Sequence, residues 1–150
     1  MIPARLGGGF IFMGDFNGAK AMLVHDGKLL TYLRDDKPSI PFPAFWDLPG
    51  GGREGEESPL DCVTREIHEE FGLTIEGARL TGRPFPSHQQ SGAVSWFFTA
   101  RLRTLEIAAI RLGDEGQEWR MMPIAEFVDH PRAVAHFRAL VAEAAGGFRD

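Results

Sequence analysis

Two runs of nearly unbroken apolar residues, 19–25 (AKAMLVH) and 28–34 (KLLTYLR), stand on either side of Asp26-Gly27. Asp-Gly supplies the positive-φ turn that a tight hairpin needs, so the pair reads as two antiparallel strands. Strands exposed on one face alternate apolar with polar; runs this continuous predict a sheet covered on both faces. Residues 93–102 (AVSWFFTARL) are rich in aromatic and β-branched side chains and read as a further strand. Weaker strand patterns lie at residues 9–13, 46–48, 73–80 and 117–122.

The apolar period changes at Ser58-Pro59. Ser is a favoured N-cap and Pro a favoured first helical residue, so a helix begins there. Leu60, Val63, Ile67 and Phe71 then recur at helical spacing, and Gly72 supplies the left-handed C-terminal stop. A second amphipathic helix spans residues 131–145, with Val134, Phe137, Leu140 and Val141 inward, after a short helical turn at 123–128. Residues 35–44, with three prolines, residues 82–92 and residues 110–116 read as loops, and residues 146–150 as a frayed tail. Strands interrupted by a central and a C-terminal helix indicate an α/β (α+β) layered fold with a mixed sheet between helices. At 150 residues the chain fits one domain, residues 1–150.

The helix carries more than its apolar stripe. Glu66, Glu69 and Glu70 share a face within an arc of about 100°. Like charges at that spacing weaken a helix, so their presence points to use, and hard divalent cations take oxygen ligands. Gly50-Gly51-Gly52, just upstream, let the backbone approach a ligand closely. Cys62 falls on this helix between the glutamates and solvent and reads as a small packing residue.

Composition narrows the picture further. A net charge of −5 disfavours a nucleic-acid polymer as partner, which calls for a basic face, but allows a small phosphorylated substrate. No apolar run reaches the roughly 20 residues of a membrane span, and the Gly-broken N-terminus makes a poor signal peptide. The single cysteine fits a reducing cytoplasm, and the five histidines show no zinc-ligand spacing. A monomer or a homodimer is expected.

Residues 51–73 resemble the Nudix box: Gly51, Glu57, Arg65, Glu66, Ile67, Glu69, Glu70, Gly72 and Leu73 fill every fixed position. The resemblance implies the Nudix-type α/β/α sandwich with a central mixed sheet, and hydrolysis of a nucleoside diphosphate linked to another group with Mg²⁺ or Mn²⁺. It implies that Glu66, Glu69, Glu70 and the Gly51 carbonyl hold metal, with Arg65 orienting the glutamates and Glu57 structural. Residues 113–119 (GDEGQEW) resemble a late loop of MutT-like members, which makes Glu115 a candidate to complete the metal site or act as base, with Asp114 and Glu118 behind it. The base is expected among Glu69, Glu70 and Glu115. Arg34 stands where MutT-like proteins often place a cation facing phosphates, and Trp46, Phe85 and Trp96 are candidates to stack on a base. The implied substrate is a nucleoside triphosphate, canonical or oxidised. An ADP-ribose, dinucleotide or nucleotide-sugar pyrophosphatase, or a non-catalytic nucleotide sensor, remains open. Residues 129–132 (DHPR) lack the asparagine with which the MutT type reads oxidised guanine, so base specificity does not transfer.

Overall fold

The hairpin at Asp26-Gly27 forms with φ of 50° and 73° at its two central residues, as a right-twisted two-residue turn requires. A computed structural model describes residues 3–6, 9–12, 15–87 and 92–148. The hairpin strands are β3 (Phe16–His25) and β4 (Lys28–Leu33), preceded by a separate two-stranded sheet of β1 (Pro3–Leu6) and β2 (Gly9–Phe12). Met13, His88 and the tip of the loop after residue 87 lie outside the described residues. β5 (Trp46–Asp47), β6 (Gly50–Gly52), β7 (Thr81–Pro86), β8 (Val94–Arg101) and β9 (Glu118–Pro123) complete the main sheet. Its order is β5-β4-β3-β8-β7, with β6 also on β3 and β9 on β4. β3 and β8 are parallel and the remaining pairs antiparallel, so the sheet is mixed.

The continuous apolar character of β3 is explained by helices on both faces. Ala19, Ala21 and Leu23 pack with Val63, Ile67 and Phe71 of α1 (Pro59–Phe71). Met22 and Val24 pack on the other face with Phe127 of α3 (Ile124–Asp129) and Phe137 and Val141 of α4 (Ala135–Ala144). This is the expected α/β/α sandwich. α1 is bounded as its sequence prescribes: Ser58 Oγ accepts from Asp61 N at 3.1 Å, and Gly72 closes the helix at φ 70°.

Several local expectations are corrected. Residues 73–80 form no strand: Leu73 and Ile75 pack into the core, and a 3-10 turn follows at Gly77–Arg79. The strand lies instead at β7, within the expected loop. Its Pro84 and Pro86 are tolerated because β7 is the sheet's edge, where a missing N–H need not break a ladder. The Gly50–Gly52 segment is itself a strand, paired to β3 from Gly18↔Gly52 to Lys20↔Gly50. A short helix not foreseen, α2 (Thr104–Ala108), is closed by the Glu106 carboxylate accepting from Arg103 N at 2.8 Å. The C-terminal helix begins at Ala135 rather than at Pro131, because the preceding residues are drawn onto β5: Trp46 N donates to Arg132 O and Val134 N to Trp46 O. Residues 145–148 form a 3-10 turn in place of a frayed tail, with Arg101 over the Phe148 ring at 5.2 Å.

Candidate functional site

Close backbone packing sets the site's geometry. β6 lies so near β3 that a Cβ on Gly50 would come within 2.0 Å of Ala19 O, at a φ of 132° that suits only glycine. This brings the Gly50 and Gly51 peptides against α1. Glu70, 8% exposed, accepts from Gly50 N at 2.8 Å, and a Cβ on Gly51 would meet the Glu66 carboxylate at 2.7 Å. Burial pushes the Glu70 carboxyl up to about 8, against the opposing pull of the Lys20 charge and the Gly50 N–H. Burial also raises Glu66, while its bond from Arg65 opposes the shift.

Arg65 ties the cluster together. Its Nε and Nη2 form a fork on Glu57 at 3.0 and 2.8 Å, Nη1 donates to Glu66 at 2.8 Å and Glu69 at 3.1 Å, and Nη2 reaches Gly52 O at 2.8 Å. A planar guanidinium can serve so many acceptors at once where an ammonium cannot. The hydrogen bonds from Arg65 hold Glu57 down at about 2, below its ordinary 4.5. The clamp's stabilisation is therefore present above about 4.5 and is lost as pH falls toward 2.

Cys62 is fully buried, as a packing residue, and lies deeper than a position between the glutamates and solvent suggests, with Sγ 3.6 Å from Gly51 O. Burial first, then the neighbouring Glu57 charge, pushes its thiol up to about 12. Native protein at pH 8 is expected to leave Cys62 unlabelled by Ellman's reagent over hours, with one thiol released promptly in denaturant. Stoichiometric labelling of the folded protein within minutes would contradict this placement.

The loop carrying Glu115 is tied by its backbone to the end of α1. Arg111 N donates to Phe71 O at 2.9 Å and Gly113 N to Glu70 O at 2.8 Å, serving carbonyls that the end of α1 leaves unpaired. Gly113 lies so close that a Cβ would fall 2.4 Å from Glu69 O. Asp114 and Glu115 thereby reach the same cavity as Glu66, Glu69 and Glu70, a cavity of about 660 Å³. Glu118, on β9, does not line it.

Opposite the carboxylates lies a group that sequence reasoning missed. Asp47, 2% exposed, accepts from Lys20 Nζ at 3.1 Å, Arg34 Nη1 at 2.9 Å, Tyr32 Oη at 3.3 Å and Leu48 N at 2.7 Å. Lys20 also donates to Leu48 O and Gly50 O, at 3.1 and 3.2 Å. The available signal was a lysine within the otherwise apolar strand of residues 19–25 and an aspartate between Trp46 and Leu48. Lys20 and Arg34 both line the cavity. Trp46 and Trp96 do not. Trp46 packs in the core beside His130, and Trp96 stacks on Phe98 beneath the sheet. Of the three aromatic candidates only Phe85 borders the cavity, joined by Phe42, His136 and Phe137.

The donor set is carboxylate and carbonyl oxygen, which suits a hard cation such as Mg²⁺ or Mn²⁺. Among the described residues no three acidic, His or Cys side chains already converge to hold an ion. The reason is visible: Arg65 Nη1 occupies the space between Glu66 and Glu69, and Glu70 is turned to Gly50. The Gly51 backbone lies against the Glu66 carboxylate, close enough that a side chain at 51 would collide with it.

Comparisons with known proteins identify the chain's relatives. The family model of the NUDIX domain matches residues 16–143. A MutT-like protein of Streptomyces ambofaciens is 34% identical over 118 residues, 64% of this chain and 73% of that protein. An RNA pyrophosphohydrolase of Gluconacetobacter diazotrophicus is 32% identical over 113 residues, 63% of this chain and 66% of the relative. The NUDIX domain of Shewanella oneidensis NrtR, solved with ADP ribose, superposes with a TM-score of 0.67 at 21% identity, covering 92% of this chain and 91% of that one. Among the described residues no helix is long and apolar enough to cross a membrane.

Proposed function

Since the chain belongs to the NUDIX domain family and is a hydrolase of pyrophosphate bonds, we propose that it converts a nucleoside triphosphate to the monophosphate and pyrophosphate, using Mg²⁺ or Mn²⁺. One observation carries this reading: the carboxylates of α1, the cations Lys20 and Arg34, and an aromatic wall line a single cavity. A polyanion attached to a planar ring is the ligand that uses all three.

Glu66, Glu69, Glu70 and the Gly51 carbonyl are the candidate metal ligands, with Glu115 completing the set from its docked loop. The bound cation would neutralise the phosphates and acidify the attacking water. Arg65 is a positioning residue: it holds Glu66 and Glu69 apart from one another and fixes them to Glu57 and Gly52. Arg34, anchored by Asp47 and by Pro41 O at 2.9 Å, faces the phosphates. The base is drawn from Glu69, Glu70 and Glu115. Water attacks phosphorus, the P–O bond to the leaving pyrophosphate breaks, and the water's proton passes to that carboxylate.

A panel of canonical and oxidised nucleoside triphosphates, ADP-ribose, dinucleoside polyphosphates and a 5′-triphosphorylated RNA, assayed with Mg²⁺ or Mn²⁺ and with product identification, tests the reading. Monophosphate and pyrophosphate from triphosphates are the expected products. Turnover confined to ADP-ribose, dinucleotides or RNA would replace the substrate class. Glu115→Gln is expected to lower turnover at least about tenfold; full retention would return Glu115 to the role of an exposed loop residue.

A further inference from the structure

The strand-to-strand loop of residues 34–46 holds two non-glycine residues in the left-handed region, Phe42 at φ 51° and Ala44 at φ 56°. Such conformations are unfavourable for residues with a Cβ and persist only where the surroundings impose them. The imposing contacts are on the page. Arg34 Nε donates to Pro41 O at 2.9 Å, Arg132 donates to Ala44 O at 3.3 Å and Pro43 O at 3.2 Å, and Ala44 N donates to Asp35 O at 3.0 Å. Arg132 also lies over the Phe45 ring at 4.8 Å.

The outcome of this strain is a presented ring. Phe42 is 40% exposed, one of two large apolar side chains so exposed among the described residues, and it borders the cavity. The other, Leu105, is remote from it. Phe42 stands edge-on to His136 at 6.0 Å, and His136 to Phe137 at 4.3 Å, so three rings line one wall. Arg34 links this wall to the buried Asp47 cluster, because it holds Pro41 with one nitrogen and Asp47 with another.

We propose that Phe42 is a specificity-determining residue, a pre-formed stacking platform for the nucleobase. This rests on the reading of the substrate as a base-bearing polyphosphate. Stacking needs only a π face, so the platform favours base-bearing over base-free triphosphates without choosing among bases. The sequence DHPR at 129–132 also contributes here, since Arg132 secures the loop on which the platform stands.

Phe42→Gly separates this role from a structural one, because glycine adopts φ 51° without strain. Its Tm is expected to stay at or above the wild-type value. Its preference for a nucleoside triphosphate over ribose 5-triphosphate is expected to fall about 10- to 100-fold in kcat/KM, with Phe42→Trp restoring it. Calorimetric binding of an α,β-methylene nucleoside triphosphate and of ribose 5-triphosphate is measured on the same proteins. A binding preference that falls in Phe42→Gly supports the platform even if the wild type hydrolyses neither compound, a result that would overturn the hydrolytic reading alone. A preference changed less than about twofold in both measurements overturns the platform.

Discussion

Glu70→Gln is expected to lower metal-dependent hydrolysis by about 10²- to 10⁴-fold while the protein keeps its fold, and Glu69→Gln is expected to do the same. The two results have different physical origins. Glutamine at position 70 still offers an oxygen to Gly50 N, so the junction of α1 with β6 survives and only the ionisable carboxyl is lost. Glutamine at position 69 leaves Arg65 anchored by its fork on Glu57, because Glu69 is the exposed partner of that cluster. Steady-state rates with Mg²⁺, read beside circular-dichroism melting, separate lost chemistry from lost structure. Activity near wild type in both variants would remove the carboxylate face of α1 from the mechanism. A comparison with Glu115→Gln then ranks the three candidate bases: the variant that loses the wild-type plateau and whose rate climbs log-linearly with pH, as hydroxide takes over, is the one that has lost its base.

Asp47→Ala is the substitution with the largest expected effect on stability. It removes the shared acceptor of Lys20, Arg34 and Tyr32 and leaves two cations facing one another in a half-closed space. Breaking such a partnership on one side costs about 3–5 kcal/mol. For a chain of this size that lowers Tm by roughly 6–20 °C. Asp47→Asn preserves the acceptor for Leu48 N and is expected to fall between the two. Adding Lys20→Met to Asp47→Ala removes one of the stranded charges, so the double variant is expected to lose less than the sum of the singles. A melting temperature within about 2 °C of wild type for Asp47→Ala would show that solvent screens these charges. Arg34 also loses its anchor in this variant, so KM for a triphosphate rises together with the fall in Tm.

The comparison of the two levels turns on particular residues. Periodicity located α1, its caps and the β3–β4 hairpin, because those signals are local: a capping hydroxyl, a left-handed glycine, an Asp-Gly turn. It misplaced β7 because an edge strand carrying Pro84 and Pro86 has no local strand signature, and only its pairing to β8 makes it one. It offered Trp46 as a candidate to stack on a base because an isolated aromatic is ambiguous; on β5 that ring packs half-buried against the core beside His130.

Charge showed the same division. Glu66, Glu69 and Glu70 were legible as a set because helical spacing alone puts them on one face. Asp47 and Lys20 were not, because they are 27 residues apart and meet only when β3 and β5 lie in one sheet.

By itself the sequence determined the family, through the resemblance of residues 51–73 to the Nudix box, together with the set of glutamates sharing one face of α1 and the layered fold. The tertiary structure alone decided what those carboxylates face. Glycine-to-backbone contact between β3 and β6 set Glu66 and Glu70 against the Gly50–Gly51 peptides. The end of α1 drew Glu115 to the cavity through Gly113. Arg34 and Arg132, distant in the chain, hold Phe42 in a conformation that no local preference would select, since the contacts that impose it exist only in the folded chain.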